Sequence, residues 1–171
     1  DRTLSKESDP IFNYRVYADV TDISGETHSS ETTVRVGYKA LEIAVNLPDA
    51  IDKAKQDSIS LYANNLNGQP EPTQVELSIH QLKAPAQPLR TRQWELPDTN
   101  LIPESDFRKQ FPLDAYGDEM RYENWAKGAE VFKTSMNTGT QTKFLPNVGN
   151  WAPGVYSVEL TAKDRFGQEV K

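Results

Sequence analysis

The sequence predicts an all-β protein, an antiparallel β-sandwich interrupted by one long insertion that contains proline and tryptophan. Apolar and polar residues alternate over eight short segments, which is the pattern of strands with one buried face. Turn residues separate these segments, and signals for helices are slight. Many short strands at this spacing are typical of sandwiches and barrels.

The predicted strands follow one another along most of the chain. In chain order they cover residues 14–20, 34–38, 41–47, 59–63, 75–79, 131–136, 143–145 and 156–162. The turns between them are marked by Ser24-Gly25, Asn67-Gly68, Thr138-Gly139, Pro153-Gly154 and Phe166-Gly167. Asn-Gly is the pair that a type I′ hairpin turn prefers, so we expect that turn at Asn67-Gly68.

Two short segments have helical character. Asp49–Lys55 is long enough for one helical turn. Pro103 is followed by acidic residues, which favours a helix start, and we expect this helix to end near Gln110. Neither segment is long enough to form a layer of the fold.

The segment from about Ala84 to Gly128 lacks the alternation of the strands. It contains five of the eleven prolines and two of the three tryptophans. Because a loop of this length without structure is uncommon in a domain, we expect an ordered insertion. Its aromatic residues are interpreted either as structural anchors or as a candidate interaction surface. That surface would consist of Trp94, Trp125, Tyr116 and Tyr122.

Composition and charge exclude several classes of function. The formal net charge is −6 and the isoelectric point is about 5.0, which argues against nucleic acid and anionic membranes as partners. The absence of cysteine excludes disulfides, thiol nucleophiles and zinc–thiolate sites. No apolar run approaches the roughly 20 residues that a membrane span needs.

No pattern in the chain indicates catalysis, and we expect neither an enzyme nor a cofactor or metal site. His28 and His80 have no third ligand at a suitable spacing for a metal. No nucleophile elbow of the form G-x-S-x-G occurs. An acidic cluster lacks the spacing of a calcium loop, and we interpret it as a solvated loop; it consists of Asp114, Asp118, Glu119 and Glu123.

An internal repeat predicts the domain boundaries. Tyr14-x-Val16 precedes Asp22-x-x-Gly25, and Tyr156-x-Val158 precedes Asp164-x-x-Gly167, with the same spacing in both copies. The aspartate can cap the turn and the glycine can adopt a positive φ, so each copy is interpreted as the closing hairpin of a domain. Residues 1–38 would then end a preceding domain, and residues 39–171 would form the next one, with the insertion at about 84–128. An edge left unpaired would permit a strand-paired dimer.

The same segments resemble a known family. YRVYADVTDISGETHSSETTVRVG followed by ALEIAVNLP, the later PGVYSVELTAKDRFGQEV, and RQWELPD with FRKQFP between them are similar to bacterial alpha-2-macroglobulin-like proteins. The resemblance covers most of the chain, and it implies immunoglobulin-like or macroglobulin-like sandwich domains arranged in a string.

The resemblance also implies a function for a longer parent protein. Members are large proteins of the periplasm or outer membrane, often lipid-anchored, that are thought to trap proteases. This chain would be a non-catalytic scaffold module, with neighbouring domains of the parent as direct partners and proteases as partners of the whole protein. The family's thioester needs a cysteine, which is absent here, and its bait region has only a remote candidate in the arginines of the insertion. The alternative is a carbohydrate-binding or adhesive immunoglobulin-like module of a surface protein.

Overall fold

The computed structural model describes residues 9–54, 58–90 and 99–171. Its contacts divide the chain into two units. The first consists of Asp1–Leu77, Thr134–Gly149 and Glu159–Lys171, and the second of Ser78–Lys133 and Asn150–Val158.

Strands dominate the described residues, which confirms the predicted all-β class. They are β1 (Ile11–Thr21), β2 (Thr27–Gly37), β3 (Leu41–Asn46), β4 (Ile59–Asn65), β5 (Gln74–Leu82), β6 (Lys127–Asn137), β7 (Lys143–Phe144), β8 (Tyr156–Lys163) and β9 (Glu169–Val170). They form a two-stranded sheet β1-β2, a three-stranded sheet β3-β4-β7 and a four-stranded sheet β6-β5-β8-β9.

The first unit contains most of the buried core. Leu61 on β4 and Val75 and Leu77 on β5 are completely buried, and each lies on the inward face that its alternating pattern predicts. Strands of both larger sheets contribute to this core. Its other buried members include Leu41, Ile59, Ala63, Met136, Phe144, Ala162 and Val170.

The strands β1 and β2 form a long ribbon of their own. They pair antiparallel without a break from Ile11 opposite Gly37 to Thr21 opposite Thr27. Nearly all of their residues are exposed. A two-stranded ribbon exposed in this way has little stability from packing, and this exposure distinguishes it from every other hairpin of the described chain.

The second unit contains the insertion, which is ordered where the structure describes it. A short helix, α1 (Glu104–Gln110), begins after Pro103 and confirms the predicted helix. A 3-10 turn at Tyr122–Asn124 precedes β6. No helix among the described residues is long and apolar enough to cross a membrane.

Two local predictions are wrong. Asp49 to Ala54 form bends and a turn rather than a helical turn, and Lys55 lies outside the described residues. The turn at Asn67-Gly68 is not type I′, because that type needs a positive φ at both central residues and only Gly68 has one. The asparagine two residues earlier, Asn65, directs a different turn there.

Candidate interaction surface

Three hairpins of the first unit end in the same turn. Each begins with an aspartate or asparagine, at Asp22, Asn65 and Asp164, and each has a glycine three residues later. The glycines have φ angles of 88°, 81° and 79°, a conformation that side chains with a Cβ rarely adopt. The turn is therefore set by local sequence, and it explains the repeat.

The side-chain oxygen of the first residue holds each turn together. In the last copy, Oδ1 of Asp164 accepts from the N–H of Phe166 at 2.9 Å and of Gln168 at 2.8 Å. In the first copy, Oδ1 of Asp22 accepts equivalent bonds at 2.8 and 3.0 Å. In the middle copy, an amide oxygen does the same at 2.9 and 3.0 Å. A carboxylate is therefore not needed for the turn itself.

The second carboxylate oxygen distinguishes Asp164 from Asp22. Oδ2 of Asp164 accepts the N–H of Ala40 at 3.0 Å, which fastens the last hairpin to the segment that enters β3. All described hydrogen bonds to the carboxylate of Asp22 come instead from its own turn. Asp164 is only 6% exposed, whereas Asp22 is exposed.

The two carboxylates also differ in what sets their pKa. Burial alone raises the pKa of Asp164, but hydrogen bonds from Ala40, Gln168 and Phe166 outweigh burial, so that the pKa lies below its ordinary value. The Ser24 hydroxyl and the N–H of Glu26 lower the pKa of Asp22. Both groups are therefore ionised at neutral pH.

The base of the β1-β2 ribbon is fastened to the strands that follow it. The guanidinium of Arg35 contacts Glu42 on β3 at 2.8 Å and donates to the carbonyl of Leu66 at 2.9 Å. The backbone N–H of Arg35 donates to Oδ1 of Asn67 at 2.8 Å. Side chain and backbone of one residue thus fix the base of the ribbon against the end of the β3-β4 hairpin.

The two faces of the ribbon differ in character. On one face, polar side chains pair across the strands: Arg15 with Glu31 at 3.1 Å, and Ser29 with Asp19 at 2.6 Å. We call the other the apolar face. It carries Phe12, Tyr14, Val16, Ala18 and Val20 on β1 and Val34 and Val36 on β2, with the polar residues His28, Ser30 and Thr32 at the β2 positions nearer the turn. Its valines are between 38% and 67% exposed, so the face that packs in most antiparallel sheets is uncovered here.

Within the second unit, Glu119 organises the insertion. Its carboxylate accepts from Arg108 at 2.8 Å and from the N–H groups of Tyr116 and Gly117 at 3.2 and 2.6 Å. Burial raises the pKa of Glu119, but hydrogen bonds from its own backbone N–H and from Gly117, Arg108 and Tyr116 outweigh burial, so the pKa is lowered. Beside it lies an open pocket of about 510 Å³, whose walls include Lys83, Leu89 and Trp125.

The residues of the predicted aromatic surface occupy different settings. The indole N–H of Trp125 donates to the carbonyl of Glu119 at 2.7 Å, and the hydroxyl of Tyr116 donates to the carbonyl of Ile102 at 3.0 Å. The Tyr116 ring packs edge-on against Phe107. Tyr122 is 53% exposed, and Trp94 lies outside the described residues.

Three residues of the acidic cluster form ion pairs with three different basic side chains. Asp114 pairs with Arg90 at 2.7 Å, and Asp118 pairs with Arg121 at 3.4 Å. Glu119 is partly buried and pairs with Arg108, so the description as a solvated loop does not fit that residue. No grouping of three potential metal ligands occurs among the residues that the structure describes.

Three features were missed by reasoning from the sequence. The turn at Asn65 has the same spacing as the other two, and a search that accepted asparagine for aspartate would have found it. The contacts of Arg35 with Glu42 and of Arg108 with Glu119 join residues whose spacing carries no recognisable signal.

Comparison with family models, curated proteins and solved structures found no match to this chain.

Replacing Glu119 with glutamine should loosen the insertion. Glutamine retains an oxygen acceptor but loses the charge that Arg108 and the two N–H groups share, which costs about 1–2 kcal/mol. That corresponds to about five- to thirty-fold more frequent local opening. We expect trypsin cleavage after Arg108, followed by mass spectrometry under native conditions, to accelerate by that factor.

Glu104→Gln is the matched control, because Glu104 contacts the same guanidinium at 2.6 Å from a more exposed position. An exposed pair within a helix contributes only about 0.3–0.5 kcal/mol, so cleavage should change less than about three-fold. Equal acceleration in both variants would contradict the central role of Glu119.

Proposed function

We propose that the chain is a non-catalytic scaffold segment of a large extracytoplasmic protein of the alpha-2-macroglobulin kind. It would comprise the closing hairpin of one β-sandwich domain, residues 1–38, followed by residues 39–171 of the next. The parent would be an envelope protease trap of the periplasm or outer membrane, and this segment would hold neighbouring domains at a set angle. The resemblance in sequence motivates the family and the compartment.

The observation that carries this proposal is the fastening at the base of the ribbon. Arg35, near the end of β2, binds Glu42 and the carbonyl of Leu66, and Ala40 is held by Asp164. These contacts join the end of one hairpin to the first strand and the last turn of the following fold. A joint fixed by several directional hydrogen bonds transmits an angle, whereas a flexible linker does not.

The core of the first unit supports the sandwich within this proposal. Buried residues come from β3, β4 and β7 and also from β5, β6, β8 and β9, which belong to different sheets. Inward-facing residues from two sheets are the basis of sandwich cores.

The alternative, a carbohydrate-binding module, has less support. Sugar rings stack on exposed aromatic faces, and a platform needs several of them side by side. Trp125 is half-buried and its indole N–H is used internally, and Tyr116 packs against Phe107. Both residues therefore fit the role of structural anchors better than that of a platform.

The test of the trap uses the full-length parent protein. It is mixed with trypsin, and cleavage of a large protein substrate is compared with cleavage of a small chromogenic peptide. We expect the large substrate to be protected at least ten-fold while the peptide is cut at the control rate, because a cage excludes only large molecules. Cleavage of both substrates at the control rate would refute the trap.

A further inference from the structure

The apolar face of the β1-β2 ribbon has a counterpart in the same chain. The repeat aligns Tyr14, Val16 and Val20 with Tyr156, Val158 and Ala162 on β8. The register after the turn also agrees, because Val20 opposes His28 as Ala162 opposes Val170. The two hairpins therefore agree in the turn and in the two residue pairs next to it, as well as in sequence.

The aligned positions differ in burial. Ala162 is 3% exposed and Tyr156 and Val158 are half-buried, whereas Val16, Tyr14 and Val20 are 48%, 57% and 67% exposed. The β8-β9 hairpin belongs to a four-stranded sheet, and the ribbon is a sheet of two strands. Among the residues that the structure describes, the first copy lacks the cover that buries the second.

The turns show the same difference. The Oδ2 atom of Asp164 holds the N–H of Ala40, just before the buried Leu41 that begins β3. The equivalent atom of Asp22 has no hydrogen-bond partner outside its own turn among the described residues. An extended segment with a backbone N–H next to an apolar residue would fit this site. Its N–H would donate to the charged carboxylate, and its apolar side chain would cover the apolar face.

We propose that the apolar face and the Asp22 carboxylate together bind one occupant, the β-sandwich domain that precedes this segment in the parent. The face covers that domain's core, as β8 does in the following domain. Asp22 accepts the N–H of that domain's entry segment, as Asp164 accepts the N–H of Ala40. This inference rests on the proposed function only in requiring a parent with a preceding domain of this kind.

The polar face argues for this orientation. Arg15–Glu31 and Ser29–Asp19 complete their charges and hydrogen bonds across the ribbon, so this face needs no partner and remains in solvent. A sheet with one self-paired polar face and one apolar face normally packs through the apolar one.

The experiment compares hydrogen exchange of β2 peptides in the full-length parent and in the 171-residue chain. We expect at least ten-fold slower exchange in the parent. Val16→Asp, on the apolar face, should abolish that protection, and Tyr17→Asp, on the polar face, should preserve it. Both side chains are exposed in this chain, so both variants should retain its melting temperature, which shows that they fold.

Asp22→Asn isolates the contribution of the carboxylate. Asn65 shows that an amide supports the turn, but the amide places an NH₂ group where Oδ2 would accept. Exchange of the β2 residues next to the turn should accelerate about three- to ten-fold in the parent and remain unchanged in the 171-residue chain. No change in the parent would remove Asp22 from the proposed site.

Three outcomes would overturn the proposal. The first is equally fast exchange of β2 in the parent and in the chain, and the second is an equal effect of Val16→Asp and Tyr17→Asp. The third is protection in the 171-residue chain that rises with its concentration, which would assign the face to a second copy. Because exchange is measured without protease, failure of the trypsin test leaves this result interpretable.

Discussion

Replacing Leu61 with alanine should lower the free energy of unfolding by about 3–5 kcal/mol. Leu61 is completely buried on β4, so the substitution removes buried methyl groups and leaves a cavity that its surroundings fill only in part. The measurement is urea unfolding of the 171-residue chain followed by far-ultraviolet circular dichroism, which reports the strands directly.

Tyr62→Ala is the matched control on the same strand. Tyr62 is the next residue along β4 and is 48% exposed, because successive side chains point to opposite faces. Its replacement should cost less than about 1 kcal/mol. A similar loss in both variants would show that the core is not organised around the inward face of β4.

Replacing Asp164 with alanine should destabilise the chain by about 2–3 kcal/mol. The carboxylate accepts from the N–H groups of Phe166, Gln168 and Ala40, and bonds to a charged acceptor are worth more than neutral ones. The loss stays below the sum of three bonds because the N–H groups of the exposed turn can bind water. Thermal and urea unfolding measure the effect.

The pH dependence provides an independent check of Asp164. Its folded pKa lies below the ordinary value, so its contribution is fully present above about pH 5 and is lost as the pH falls through the folded pKa. Asp164→Asn should therefore weaken the acid destabilisation below about pH 4. Asp22→Asn, in an exposed turn, should lower the stability at neutral pH by less than Asp164→Asn does. A larger loss would contradict the role of Asp164 in holding the N–H of Ala40.

The strands were predictable because their alternation has a simple physical cause. A strand with one buried face needs an apolar residue at every second position, and β4 and β5 follow that rule. The turns at Asp22 and Asp164 were predictable for a related reason. Their hydrogen bonds and their glycine lie within five residues, so the pattern is visible in the local sequence.

The interior of the insertion was less predictable. Glu119 was interpreted as part of a solvated acidic loop, yet it is bound to Arg108 and to two backbone N–H groups. The spacing between Arg108 and Glu119 in the sequence does not predict their contact, since a bend of the chain brings them together. The short helix at Glu104–Gln110 was predictable, because its start depends on Pro103 and the acidic residues beside it.

The all-β class, the order of the strands and the repeated turn follow from the sequence, because these depend on alternation and on contacts within a few residues. That Asp164 holds Ala40, while the Asp22 carboxylate is bound within its own turn among the described residues, depends on the tertiary structure. The two aspartates have the same local sequence pattern. They differ because Asp164 has a partner that lies 124 residues away in the sequence. Contacts over that distance are set by packing rather than by local preference.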